Sequence, residues 1–108
     1  MKTALVVGDA GVVADYIESF TSNGYCVVSA NSATAAFRCL EEFPCDVVVL
    51  TKSLSVWTRR AISEVAASKA EVICIGACNT EKCCGRGWIS EDEPLAVLSY
   101  LKPKINQA

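Results

Sequence analysis

Three closely spaced cysteines, Cys78, Cys83 and Cys84, form the densest group of potentially reactive side chains in the sequence. Together with Cys74 upstream, their thiolates are the type of ligand that holds zinc or an iron–sulfur cluster. The spacing contains no Cys-x-x-Cys pair, the chain has no histidine, and two adjacent cysteines do not easily face one centre. We therefore expect no metal site here. A redox pair between Cys78 and Cys83 or Cys84 stays open, because nearby cations lower a thiol pKa.

A second group of candidate residues follows two apolar runs, at 4–7 and 47–50. Asp9 comes shortly after the first run, and Thr51 directly follows the second. A hydroxyl with no base beside it is a weak nucleophile. The chain also offers no histidine and no pair of carboxylates suited to acid–base work. We therefore expect no enzymatic activity, with Asp9 simply capping a helix and Thr51 ending a strand.

The turn at residues 8–11 lies where phosphate-binding loops lie, but it lacks their signatures. It has neither the third glycine of the dinucleotide fingerprint nor the Gly-Lys-Ser/Thr of a P-loop. A carboxylate at Asp9 would also repel a phosphate group. No cofactor is expected.

The composition narrows the class of protein. The chain has 108 residues, of which 52% are hydrophobic and 20% charged, and this predicts one globular domain spanning residues 1–108. The apolar runs are too short to span a membrane, and a net charge of −2 gives no reason to expect nucleic acid. Seven cysteines, an odd number with no export signal before them, argue against a disulfide framework and favour the cytoplasm.

The order of apolar segments predicts the fold. Continuous Val/Ile/Leu-rich runs are typical of strands buried on both faces. Four apolar runs lie at 4–7, 26–28, 47–50 and 72–75, and a weaker fifth run lies at 87–89. Cys26 and Cys74, inside these runs, are expected to be small buried residues, as is Cys39. Helical patterns lie between the strands. Alternation of this kind predicts an α/β fold with a five-stranded parallel sheet in the flavodoxin-like order 2-1-3-4-5.

The helical segments carry recognisable ends and apolar faces. The first has Asp9 as its predicted N-cap and Gly24 as its terminator. The third is expected to bury its apolar residues, which are Ala61, Ile62, Val65 and Ala66. The last carries Leu95, Leu98 and Leu101 and stops at Pro103.

The first half of the chain resembles the receiver domains of response regulators. The likeness rests on the stretch 4–9, which resembles their opening strand and acidic turn, and on 23–30 and 43–50, which are similar to their second and third strands. This resemblance implies a CheY-like fold and a role in two-component signal transduction or a phosphorelay. Such domains switch because phosphorylation of an aspartate biases two packings of one surface.

The resemblance also implies that the phosphorylation site is degenerate. The family's acidic pair falls on Gly8 and Asp9, which leaves Asp9 as a weak magnesium ligand at best. The phosphoacceptor aspartate falls on Thr51, and the switch hydroxyl falls on Gly76. The lysine that follows the family's fifth strand falls on Ser90 or Glu91, and the switch aromatic falls on Trp88.

The resemblance further implies an altered partner surface. Only eleven residues separate Gly76 from Trp88, where receivers fit a full helix, so the fourth helix is expected to be shortened or missing. Surface aromatic and arginine residues are common interface anchors. The candidate interaction surface therefore comprises Trp57, Arg59, Arg60, Trp88 and Leu95.

The sequence thus predicts a pseudo-receiver that binds a partner signalling protein or a second copy of itself, independently of phosphorylation. Neither a nucleic acid nor a membrane is expected as partner. The alternative is a thiol- or metal-dependent redox module that uses Cys78, Cys83 and Cys84.

Overall fold

The computed structural model describes residues 2–51, 53–75 and 87–89, the last three by their backbone. Five parallel strands form one sheet in the order β2-β1-β3-β4-β5, which confirms the predicted fold class. The strands are β1 (Lys2–Val7), β2 (Tyr25–Ala30), β3 (Val47–Leu50), β4 (Glu71–Ile75) and β5 (Gly87–Ile89). The helices within the described ranges are α1 (Ala10–Ser22), α2 (Ala33–Glu42) and α3 (Val56–Ala66).

The register of the sheet brings the ends of three strands together. Val7 of β1 pairs with Leu50 of β3, and Leu50 in turn pairs with Cys74 of β4. The segments that follow β1 and β3 therefore leave the same edge of the sheet side by side. This edge is where ligands and catalytic groups collect in open parallel sheets.

Both faces of the sheet are covered, as the continuous apolar runs predict. Alternate residues of β1, such as Leu5 and Val7, pack into a core with α2 and α3. The residues between them, such as Ala4 and Val6, pack with the apolar face of α1. Cys26 is an exception to the prediction, because it lies on the edge strand β2 and its side chain is exposed.

The ends of the helices follow local hydrogen bonding. The hydroxyl groups of Ser32 and Ser55 accept bonds from the backbone of α2 and α3 at the N-cap position. Asp9 occupies the N-cap of α1 as predicted, although its carboxylate makes no capping bond. Gly24 lies just beyond α1 with φ of 87°, a conformation that favours glycine.

The orientation of α3 corrects the sequence prediction. Ile62 and Ala66 are buried as expected, but Ala61 and Val65 face solvent. The buried stripe instead contains Arg59 and Ser63, at helical spacing with Ile62 and Ala66. The helix is turned so that the Arg59 guanidinium reaches the carbonyl of Ile75 at the end of β4.

Several predictions from the sequence lie outside the described residues. These are the shortened fourth helix, the last helix with Leu95, and the positions Gly76, Cys78, Cys83, Cys84 and Ser90. For Trp88 the structure describes the backbone within β5. Within the described ranges, none of the helices has the length and apolar character needed to cross a membrane.

Gly24, just beyond α1, and Gly11, in the first turn of α1, offer a matched test of this backbone geometry. Gly24→Ala should lower the free energy of unfolding by about 1 kcal/mol, because alanine disfavours a positive φ. Gly11→Ala lies inside α1, and its added Cβ would meet no neighbouring atom within 4 Å. It should raise the same free energy by up to about 1 kcal/mol. Urea denaturation of both variants measures the difference, and equal effects would contradict the assignment.

Candidate functional site

The predicted site residues Gly8, Asp9 and Thr51 lie together at the carboxyl edge of the sheet. Gly8 and Asp9 form the turn between β1 and α1, and Thr51 follows β3. The side chain of Thr51 is fully buried, whereas Asp9 is exposed. The fourth residue of the cluster is Ser53, whose hydroxyl reaches across to the Asp9 backbone.

The turn after β1 and the turn after β3 are joined by a chain of hydrogen bonds. The hydroxyl of Thr51 donates to the carbonyl oxygen of Val7 at 2.8 Å. The oxygens of the Thr51 and Ser53 hydroxyls are 2.9 Å apart. The Asp9 backbone N–H donates to the Ser53 hydroxyl oxygen at 3.0 Å. We call this chain, from Asp9 through Ser53 and Thr51 to Val7, the hydroxyl relay.

The two ends of the hydroxyl relay determine the direction of every bond in it. The Val7 carbonyl can only accept, so the hydroxyl proton of Thr51 points to it. Thr51 therefore accepts from Ser53 in the bond between the two hydroxyls. Ser53 donates its own proton to Thr51 and accepts from Asp9. Each hydroxyl thus donates once and accepts at least once.

This arrangement makes the Thr51 hydroxyl a poor nucleophile. A threonine becomes nucleophilic when a base removes its proton. Here the proton is held by a backbone carbonyl, which is not a base of useful strength, and the side chain is inaccessible to solvent. The geometry supports structural cross-linking of two turns rather than phosphoryl transfer.

Gly8 is matched to Thr51 by shape. A Cβ at position 8 would overlap the hydroxyl oxygen of Thr51 and lie 2.9 Å from that of Ser53. Any residue with a side chain, including an acidic one, would therefore displace the hydroxyl relay. The absence of a side chain at position 8 and the presence of a hydroxyl at position 51 are two parts of one arrangement.

The described residues do not suit a magnesium ion at this edge. Magnesium requires octahedral oxygen ligands and is usually held by carboxylates with water or phosphate. Asp9 brings a carboxylate, but Gly8 has no side chain and the Thr51 hydroxyl is committed to the hydroxyl relay. Within the described ranges, no three histidine, cysteine or acidic side chains are grouped as metal ligands would be.

Arg59 was predicted as part of an interaction surface, and this prediction is wrong. Its side chain is only 5% exposed, and one guanidinium nitrogen donates to the Ile75 carbonyl at 2.6 Å. Among the described residues, neither its Nε nor the buried hydroxyl of Ser63, one turn later, has a hydrogen-bond partner. By contrast, Trp57 is 76% exposed and Arg60 is also exposed, so both are accessible as the prediction requires.

Two of the described cysteines, Cys39 and Cys45, lack the character of reactive thiols. Burial, followed by the charge of Glu42, raises the pKa of Cys39. Burial is also the largest cause that raises the pKa of Cys45, followed by the nearby Cys39 and Asp46. Because the thiolate is the reactive form, these two side chains act as small apolar residues. Cys74 is buried, as predicted.

Sequence reasoning missed the role of Ser53. Its only signal was a hydroxyl two residues after Thr51, and a serine in a turn after a strand is too common to be informative. The Asp9 backbone N–H, which donates to the Ser53 hydroxyl, is distant in the sequence.

Comparison with solved structures shows that the chain has the fold of response-regulator receiver domains. A CheY-like receiver domain from Methanospirillum hungatei JF-1 superposes with a TM-score of 0.79 and 15% identity, covering 99% of this chain and 95% of the other. The chemotaxis response regulator CheY4 of Vibrio cholerae gives 0.75 and 14%, over 95% and 98% of the two chains. Neither a protein-family model nor a curated protein matches the sequence.

A third similar structure is an atypical orphan response regulator whose structure is described as revealing a phosphorylation-independent regulatory mechanism. Its TM-score is 0.72 at 11% identity, over 100% of this chain and 98% of the other. At these levels of identity the three likenesses establish a shared fold.

A double-mutant cycle tests whether Gly8 and Thr51 depend on each other. Gly8→Ala should lower the free energy of unfolding by about 1–3 kcal/mol, because its Cβ overlaps the Thr51 oxygen. Thr51→Ala should cost about 1–3 kcal/mol by leaving the buried Val7 carbonyl with one bond fewer. The double variant should lose less than the sum by about 1 kcal/mol, since removing the oxygen makes room for the Cβ.

The matched control for this cycle is Gly11→Ala combined with Thr51→Ala. The added Cβ at position 11 meets no atom within 4 Å, so these two effects should be additive. Urea denaturation gives each value. Additivity in the Gly8 cycle as well would show that the predicted overlap does not exist.

Proposed function

We propose that this chain is a pseudo-receiver, a response-regulator-like interaction domain that works without an aspartyl-phosphate cycle. The observation that carries the proposal is the hydroxyl relay. It occupies the edge of the sheet where receivers carry out phosphorylation, and it ties both hydroxyls into structural bonds. A domain whose two turns are already cross-linked has no open position for a phosphoryl group.

The proposal excludes enzymatic phosphoryl transfer for a chemical reason. Acyl phosphate formation needs a carboxylate nucleophile with a metal ion to neutralise the incoming phosphoryl oxygens. Thr51 supplies a buried hydroxyl instead, and Asp9 is the carboxylate that remains beside it. Function is therefore expected to rest on binding rather than on catalysis.

Two further observations support a binding role. Trp57 is a large aromatic side chain that is 76% exposed, which is typical of interface anchors. A solved structure of similar fold is described as having a phosphorylation-independent regulatory mechanism. Regulation of the present chain would then come from its abundance or from partner binding, in signal transduction.

We expect the domain to act in the cytoplasm. The described cysteines, Cys26, Cys39, Cys45 and Cys74, are all free thiols. Free thiols are typical of proteins from a reducing compartment.

Phosphorylation by a small-molecule donor tests the proposal. Incubation with magnesium and acetyl phosphate should give no hydroxylamine-labile phosphate on the wild-type chain, because no carboxylate occupies position 51. Intact-mass spectrometry before and after hydroxylamine treatment measures this, with an active receiver domain as the reagent control.

The chemistry of any label identifies its source. A phosphate ester on Thr51 would resist hydroxylamine, whereas an acyl phosphate would be cleaved. A hydroxylamine-labile label that disappears in Asp9→Asn would overturn the proposal, since Asp9 would then be a working phosphoacceptor.

A further inference from the structure

The solvent-facing side of α3 carries an apolar stripe beside its charged residues. Trp57, Ala61 and Val65 follow one another at four-residue intervals, which places them on one stripe of the helix. Trp57 is 76% exposed and Val65 is 41% exposed. We call these three residues the α3 stripe.

The opposite side of α3 buries polar residues while the α3 stripe exposes apolar ones. Arg59 and Ser63 are buried against the sheet, although each retains a buried polar atom that has no hydrogen-bond partner in the part of the chain that the structure describes. Burying these polar groups while exposing apolar ones is unfavourable for an isolated domain. A partner that covers the α3 stripe would offset part of that cost, because exposed aromatic residues dominate binding energy at interfaces.

The charges beside the α3 stripe point to a particular kind of partner. Arg60 and Glu64 are both exposed and lie one helical turn apart along the same border of the stripe. A two-fold axis brings each residue of one helix opposite a residue of its copy. With antiparallel helices and the axis level with residues 61 and 62, Arg60 of each copy faces Glu64 of the other.

The apolar residues satisfy the same symmetry. In that arrangement Trp57 of each copy faces Val65 of the other, and the two Ala61 side chains meet near the axis. A small residue at the crossing point lets helices approach closely. A partner with charge of one sign would match only half of the Arg60–Glu64 border, whereas a second copy matches all of it.

We propose that the α3 stripe is a homodimer interface, in which two copies pack antiparallel through Trp57, Ala61 and Val65. This inference deepens the proposed function, since it names the partner and the surface of the interaction module. A net charge of −2 per chain opposes the association of two copies only weakly.

The size of the interface predicts a weak dimer. Stable complexes bury roughly 800 Å² on each partner, and one face of a three-turn helix provides about half of that. The expected dissociation constant is therefore on the order of micromolar or weaker. Such an association responds to the concentration of the protein, which fits regulation by abundance.

Sedimentation equilibrium on the full chain tests the dimer and its anchor. The wild type should show a concentration-dependent dimer, and Trp57→Ala should weaken it about a hundredfold, since both copies lose their anchor. Phe43→Ala is the matched control, because Phe43 is a 44% exposed aromatic residue outside α3. It should leave the dissociation constant unchanged.

Charge reversal tests the antiparallel pairing itself. Arg60→Glu or Glu64→Arg alone should weaken the dimer about tenfold by placing like charges together. The double variant R60E/E64R should recover wild-type affinity, because the opposite charges again face each other. Arg38→Glu on α2 is the matched control and should have no effect. Circular dichroism checks that each variant is folded.

Three results would overturn the α3 dimer: a monomer at millimolar concentration, a dimer that Trp57→Ala leaves intact, or a double charge variant that stays as weak as the single ones. Each is independent of the phosphorylation assay. A monomer that also forms no hydroxylamine-labile phosphate would reject the dimer and leave the proposed function standing.

Discussion

The hydroxyl relay joins the turn after β1 to the turn after β3, and the rest of the site depends on it. The Val7 carbonyl at one end and the Asp9 N–H at the other fix the direction of each bond between Thr51 and Ser53. Receiver domains place their magnesium-binding acidic pair on the first of these turns and their phosphoacceptor aspartate on the second. Here side-chain hydroxyls make the connection within the chain itself, so it requires no ligand.

The same contact explains why Gly8 and Thr51 occur together at this edge of the sheet. Without a side chain at position 8 there is room for the Thr51 oxygen, and with that oxygen in place a side chain at position 8 is excluded. The edge of the sheet also receives Arg59, whose guanidinium binds the Ile75 carbonyl and sets the rotation of α3. That rotation turns Trp57, Ala61 and Val65 toward solvent, so the site and the exposed stripe are linked through one helix.

The fold could be predicted because its signals are local and periodic. Continuous apolar runs such as 47–50 indicated strands buried on both faces, and Gly24 marked the end of α1. Proximity of Gly8, Asp9 and Thr51 followed from the shared edge of a parallel sheet. The burial of Arg59 could not be predicted, because an arginine is normally exposed and its partner is a backbone carbonyl sixteen residues away. The role of Ser53 depended likewise on a contact distant in sequence.

A ligand titration shows whether the hydroxyl relay closes this edge of the sheet to a phosphoryl group, as we propose. Beryllofluoride with magnesium imitates the aspartyl phosphate of an active receiver. Amide NMR during the titration reports on Asp9, Thr51 and Ser53 individually. If the relay closes the site, these three signals should not move, while those of an active receiver shift under the same conditions. Saturable shifts centred on Asp9 and Thr51 would show that the edge still binds a phosphoryl-like ligand, and the hydroxyl relay would then not close it.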